Sequence, residues 1–240
     1  MLSVRKSDER GHAEHGWLKT WHSFSFADYY DPQHMHFGPL RVINDDRIAG
    51  SKGFPMHPHR DMEIITYMLE GALEHKDSMG NGSVIRPGDV QRMTAGTGVF
   101  HSEVNPLPDQ PAHLLQIWII PDKDGYEPGY EQKEFTEPEK RGRLLLVASG
   151  DGREGSVTIN QDVNIFAGLF DGEESAQLAL DEGRMAWLQV ARGSLVLNGV
   201  ELEAGDGVGV RREEALELDS GTGAEILLFE MPASDDGETT

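Results

Sequence analysis

An all-β chain made of two similar units in tandem is the fold this sequence predicts, and three observations carry the expectation. Short apolar runs alternate with turn residues along most of the 240 positions. Glycine is abundant, at 28 residues, which suits a backbone that reverses often. A pattern also recurs: YMLEGALEHKD…RPGDVQRM in the first half parallels LQVARGSLVLNG…EAGDGVGV in the second. Both read strand, glycine turn, strand, Gly-Asp turn, strand. Gly71 is then equivalent to Gly193, and Gly88-Asp89 to Gly205-Asp206. Two units of about a hundred residues, each a β-barrel or double-sheet jelly roll, are the simplest architecture.

The elements follow in order. Residues 62–77, MEIITYMLEGALEHKD, predict two strands broken at Glu70-Gly71, and SMGNGS (78–83) predicts a turn. Residues 86–104 predict a strand from Val90 to Met93, a turn at Gly96 and Gly98, and a strand into His101-Ser102-Glu103. HLLQIWIIP (113–121) is a continuous apolar run suited to a buried strand. Residues 122–142 are rich in Gly, Pro and charge and read as a connector. Strands resume at 143–149, 163–170, 185–202 and 225–232. The expected boundaries are a first domain over 1–135, a second over 136–232, and an acidic tail at 233–240 that frays.

Composition narrows the function classes. A net charge of −21 repels phosphate backbones, so no nucleic-acid partner is expected. With no cysteine there is no disulfide, thiolate metal site or cysteine nucleophile. The first residues, MLSVRKSDERGH, lack the apolar segment of a secretory signal, and no apolar run approaches the ~20 residues that span a bilayer. A cytoplasmic protein with no membrane partner is the expectation.

All ten histidines lie in residues 1–113, so only the first unit can hold a histidine site. Within it, GFPMHPHRDME (53–63) places His57 and His59 two apart, on one face of a strand. Pro58 between them has no N–H, which puts that strand at an edge or rim. His101 and Glu103 form a second i, i+2 pair. Two facing strands with two ligands each would bring three imidazoles and one carboxylate together inside a barrel. That set suits a divalent first-row ion, Fe, Mn, Co, Ni, Cu or Zn, with open positions for substrate or O2. Glu63, four residues after His59, has the same parity in a continuous strand and is a candidate second carboxylate, as ligand or as a partner that orients a histidine. His34-Met35-His36 is another pair, but it lies beside Asp31-Pro32 and reads as loop. His75 and His113 lie in predicted strands and read as structural.

HPHRDMEIITYMLEGALEHKDSMGN and PGDVQRMTAGTGVFHSE resemble the metal motifs of the cupin superfamily and, more specifically, the pirin family. HGWLKTWHSFSFADYYDP, RVINDD and QIWIIPDKDGYEPGYEQKEF resemble it too. The likeness is dense over about the first 135 residues. It implies a bicupin with one metal in the N-terminal cupin, held by His57, His59, His101 and Glu103. Iron(II) is the ion the resemblance favours. It also implies the activity of the bacterial branch, quercetin 2,3-dioxygenase: O2-dependent opening of a flavonol heterocycle with release of carbon monoxide, by a monomer. In that reaction Glu103 is the expected general base for the substrate hydroxyl, and Phe24, Phe26, Phe37 and Met93 are the candidates for an apolar pocket. Eukaryotic members suggest the alternative of a metal-dependent regulator that binds protein without catalysis. A sugar-phosphate isomerase is a third cupin chemistry, but no glycine-rich phosphate cradle is present. The sequence departs from commoner pirin text at Arg60–Ile64 and at Arg92.

Overall fold

A computed structural model describes residues 1–233, so nearly all of the proposed acidic tail lies outside the described residues. The described residues are mainly β-strands, with one four-residue α-helix at Glu137–Lys140 and short 3-10 turns at Ser7–Glu9 and Arg153–Gly155. The chain divides into two compact units. One comprises Gly11–Phe135 with Val157–Gln161; the other comprises Met1–Arg10, Thr136–Ser156 and the chain from Asp162 onward.

The strands are β1 (Leu2–Arg5), β2 (Gly11–Glu14), β3 (Leu18–His22), β4 (Leu40–Ile48), β5 (Gly53–His59), β6 (Glu63–Glu70), β7 (Leu73–Asp77), β8 (Gly82–Ile85), β9 (Asp89–Thr94), β10 (Val99–Val104), β11 (Ala112–Ile119) and β12 (Gly129–Glu134). They continue as β13 (Leu145–Ser149), β14 (Val157–Thr158), β15 (Asn164–Phe170), β16 (Ala176–Ala179), β17 (Arg184–Leu197), β18 (Val200–Glu203), β19 (Gly207–Arg211) and β20 (Ala215–Pro232).

In the histidine-bearing unit, two antiparallel sheets hold the core. One has the order β5-β10-β7-β8 and the other β12-β9-β6-β11-β4-β3-β2. β5 is an edge strand, as Pro58 predicts. The polar segment expected to be a connector contains β12, which pairs with β9 from Gly129↔Thr94 to Glu134↔Asp89. An edge strand needs only one ladder partner, so it can be far more polar than an interior one.

In the second unit, β1, β19, β17, β20, β15 and β13 lie side by side. Leu188, Val190, Leu197, Val208, Ile226 and Leu228 are among its buried core residues. The first ten residues belong here rather than to a 1–135 domain. The ladder from Leu2↔Val210 to Arg5↔Gly207 binds β1 to β19, and Lys6 Nζ meets the buried Asp206 carboxylate at 2.8 Å.

The recurring Gly-Asp turn has the same construction twice. Asp89 N–H donates to Arg86 O at 2.8 Å, and Asp206 N–H donates to Glu203 O at 2.9 Å. Each aspartate then accepts from the first residue of its turn, Arg86 N at 2.8 Å and Glu203 N at 3.1 Å. The third residue is glycine at φ 97° in one turn and 91° in the other, which is what a type II turn requires. At Gly88 an added Cβ would meet nothing nearer than Phe135 O at 3.4 Å, so only backbone strain opposes a side chain. Gly88→Ala is expected to cost about 1–2 kcal/mol, read as a lower urea midpoint for the histidine-bearing unit.

Candidate metal centre

β5 alternates half-buried His57 and His59 with exposed Met56 and Pro58, so both imidazoles point between the sheets. The partner strand is its neighbour rather than one facing it. β10 is hydrogen-bonded to β5, with His101 opposite His57 and Val99 opposite His59. Residues directly opposite in a ladder share a face, which brings the third imidazole alongside. The ring centroids of His57, His59 and His101 are 4.4–4.8 Å apart. One ring nitrogen from each lies within 4.8 Å of the others. A register shift between His101 and Glu103 sets Glu103 opposite Phe54, giving β5 one extra residue in the interval that holds Pro55. Pro55 O accepts from His57 Nδ1 at 2.7 Å, which leaves Nε2 with its lone pair.

The chemistry of this set fits a divalent transition metal. His101 Nε2 is buried with no hydrogen-bond partner, a state a ligated imidazole does not leave uncompensated. Burial, with His57 second, pushes the His59 value down to about 4. Burial first and then the neighbouring histidines push His101 to about 2. Both rings are therefore neutral, the form that donates to a metal.

Glu103 lies beside the trio, with Oε2 4.0 Å from His101 Nε2. Gln116 Nε2 donates to both carboxylate oxygens at 3.1 and 3.3 Å. Thr66 in turn donates to Gln116 Oε1 at 2.9 Å. Burial raises the Glu103 value to about 7, with the Gln116 bond opposing and Asp46 adding to it. Asp46 is itself raised to about 7 by burial, against a bond from Thr20.

Gln116 and Thr66 belong to a row that the ladders align. Gln91, Thr66, Gln116, Asn44 and His22 stand directly opposite one another across five strands. One face of the larger sheet thus carries a polar stripe. Neither amide atom of Gln91 has a partner, although the residue is buried. Apolar clusters flank the stripe: Ile64, Met93, Ala95 and Val99 in one, Leu18, Ile48, Met68 and Leu114 in the other.

The remaining candidates separate clearly. Glu63 cannot share the histidine face by parity, because the chain breaks at Asp61 (φ 47°) and β6 lies in the other sheet. Its carboxylate is fully buried and accepts from Thr94 Oγ1 at 3.0 Å and Asn160 Nδ2 at 3.0 Å, with no histidine contact among its hydrogen bonds. Phe24, Phe37 and Met93 are buried in the core. Phe26 is half-buried and lines a cavity of about 600 Å³ with Trp17, His22, Tyr29 and Phe54. None of His57, His59, His101 and Glu103 lines that cavity, but two of its walls lead toward them: Phe54 packs 6.2 Å from His57, and Phe26 packs on Trp118, which packs 5.0 Å from His59. Sequence reasoning missed Trp118, Gln116 and Asp46, although each stands at the inward parity of its strand. His34 bonds Asp31 at 2.6 Å and His36 bonds Gly38 O, as loop residues. His113 bonds Asp45 at 2.7 Å. His75 lies beside the three histidines, its Nδ1 3.4 Å from His101 Nδ1.

Two all-β units, one with an imidazole cluster between its sheets, define a bicupin. Residues 3–119 match the Pirin family model, and residues 146–231 match the model described as the quercetinase C-terminal cupin domain. The quercetin 2,3-dioxygenase of Escherichia coli K12 is 47% identical over 97% of this chain and 99% of its own length. A pirin-like protein of Caulobacter vibrioides is 40% identical over 96% of this chain and 99% of its own. The crystal structure of the E. coli pirin YhhW in complex with nickel(II) is 45% identical, covers 98% of this chain and all of that one, and has a TM-score of 0.93. The chain belongs to the pirin family.

The raised Glu103 value has a thermodynamic sign. Between about pH 4.5 and 7 the folded state keeps a proton that the unfolded chain has lost, so stability falls as pH rises through that window. In metal-free protein, Glu103→Gln is expected to gain stability relative to wild type from pH 4.5 to pH 8, by as much as about 3 kcal/mol. Urea titrations of both proteins at the two pH values check this.

Proposed function

We propose that the chain is a metal-dependent dioxygenase that opens the heterocycle of a flavonol such as quercetin with O2 and releases carbon monoxide. The observation that carries this reading is the juxtaposition of three imidazoles, His57, His59 and His101, with the buried Glu103 carboxylate 4.0 Å from His101 Nε2. His57, His59 and His101 would hold the ion, iron(II) by preference, with Glu103 as the fourth ligand. The name of the E. coli relative supports the substrate, and its nickel complex supports a divalent metal. When bound, such an ion supplies Lewis acidity toward a substrate hydroxyl.

The chain's own residues do the rest. Glu103 accepts the proton of the flavonol 3-hydroxyl as general base, from a carboxylate set beside the imidazoles. Gln116 and Thr66 hold its carboxylate in place. Phe26, Trp17 and Phe54 offer a flat polyphenol apolar walls in a slot that Phe54 and Phe26 connect to the imidazoles. His22, whose Nδ1 is tied to Asn44 Oδ1 at 2.7 Å, lines the same slot.

Protein reconstituted anaerobically with iron(II) is expected to consume quercetin and release carbon monoxide only when O2 is admitted, and His57→Ala to do neither. Metal-loaded wild type that stays silent with iron and with the other first-row ions would sink the reading in favour of a regulator. Phe26→Ala is expected to raise KM for quercetin several-fold while metal content, measured by elemental analysis, stays near one ion per chain.

A further inference from the structure

We propose that His75 and Asp77 hold His101 in the one tautomer that can bind a metal. This rests on the metal-centre reading above and adds two positioning residues to it. β7 and β10 are paired with His101 opposite Asp77 and Glu103 opposite His75. The side chains of His75 and Asp77 are fully buried. His75 Nε2 lies 3.2 Å from Asp77 Oδ2, and its Nδ1 lies 3.4 Å from His101 Nδ1.

The proton positions then follow one from another. Each neutral imidazole has one N–H and one lone pair. Met79 N–H, Asn81 N–H and the Asn81 side-chain amide all donate to Asp77, at 2.9–3.0 Å. Convergent donors keep that carboxylate ionised, and an ionised carboxylate can only accept. The hydrogen of His75 therefore sits on Nε2. His75 Nδ1 is bare, so His101 must donate to it from its own Nδ1. That leaves the lone pair on His101 Nε2, the buried nitrogen with no other partner. The opposite chain of donors would put a hydrogen on that atom and close it to an ion. Tyr130 packs 4.9 Å from His75 and limits its rotation. The aspartate thus sets, through one ring, which nitrogen of the next ring is open.

The test uses the full chain and nickel(II) as the probe, titrated in competition with a colorimetric chelator. Asp77→Asn can still accept from the turn N–H groups through its oxygen, but it places an N–H toward His75. That reverses both tautomers, so nickel affinity should fall about 10–100-fold. Nitrogen-15 spectra of the metal-free protein should show His101 moving from Nδ1–H in wild type to Nε2–H in the variant. His75→Asn keeps an oxygen acceptor near the Nδ1 position and should bind within roughly threefold of wild type, whereas His75→Leu should fall as Asp77→Asn does. An Nε2–H tautomer for His101 in wild-type protein overturns the proposal without any variant. So does wild-type affinity in Asp77→Asn and His75→Leu, or an equal loss in His75→Asn and His75→Leu. If His57→Ala abolishes nickel binding and Asp77→Asn does not, the metal reading stands and this one falls. If wild type binds no nickel, both fall.

Discussion

The pairing of β5 with β10 is the constraint on which the rest of the site depends. It puts His101 directly across from His57 and leaves His59 one step along the same face. With β10 also held by β7, a one-residue slip in that ladder would turn His57 and His59 outward and bring Met56 and Pro58 in. Two devices fix the register. The irregularity in the interval that holds Pro55 absorbs one residue, and Pro55 O then anchors the His57 ring. At Gly53 an added Cβ would sit 2.1 Å from Glu103 O, so the start of β5 can approach β10 only because it has no side chain there.

Desolvation acts on the two kinds of group with opposite results. It disfavours charge everywhere, so buried imidazoles lose protons while buried carboxylates keep them. The interior of the first unit therefore has neutral nitrogen donors on one sheet and carboxyl groups poised near neutrality, Glu103 beside them and Asp46 on the sheet opposite. The amides and hydroxyls of the polar stripe compensate the carboxylates without neutralising them. A wholly apolar interior would hold Glu103 protonated further into the alkaline range, and a wetter one would return it to the ordinary range.

Much of this was legible in the chain. Period-two spacing is local, so it revealed His57 with His59 and His101 with Glu103 before any fold was known. The Gly-Asp repeat was legible for the same reason, since a four-residue turn encodes its own hydrogen bonds. What failed needed strand order. That β5 and β10, which carry these pairs, are neighbours in one sheet is a long-range fact. The Glu63 parity argument assumed a strand that continues through Arg60-Asp61, where the backbone turns into the left-handed region. Phe24 and Phe37 look like pocket residues in sequence, but aromatic type does not say whether a ring meets a cavity or other side chains. His75 read as structural because its significance lies in an atom 26 positions away.

β5 also has a position that bears on the protein's lifetime. It lies at a sheet margin, tethered by a single neighbour, and Pro55 and Pro58 contribute no ladder donor. Two of the three imidazoles ride on it. An ion shared with His101 would therefore act as a rivet between the margin and the interior, closing the stretch of chain from 57 to 101. Filling the site and fastening the strand are then one equilibrium. Starved of metal, the chain would fray there first, which makes occupancy visible to a protease as well as to a substrate.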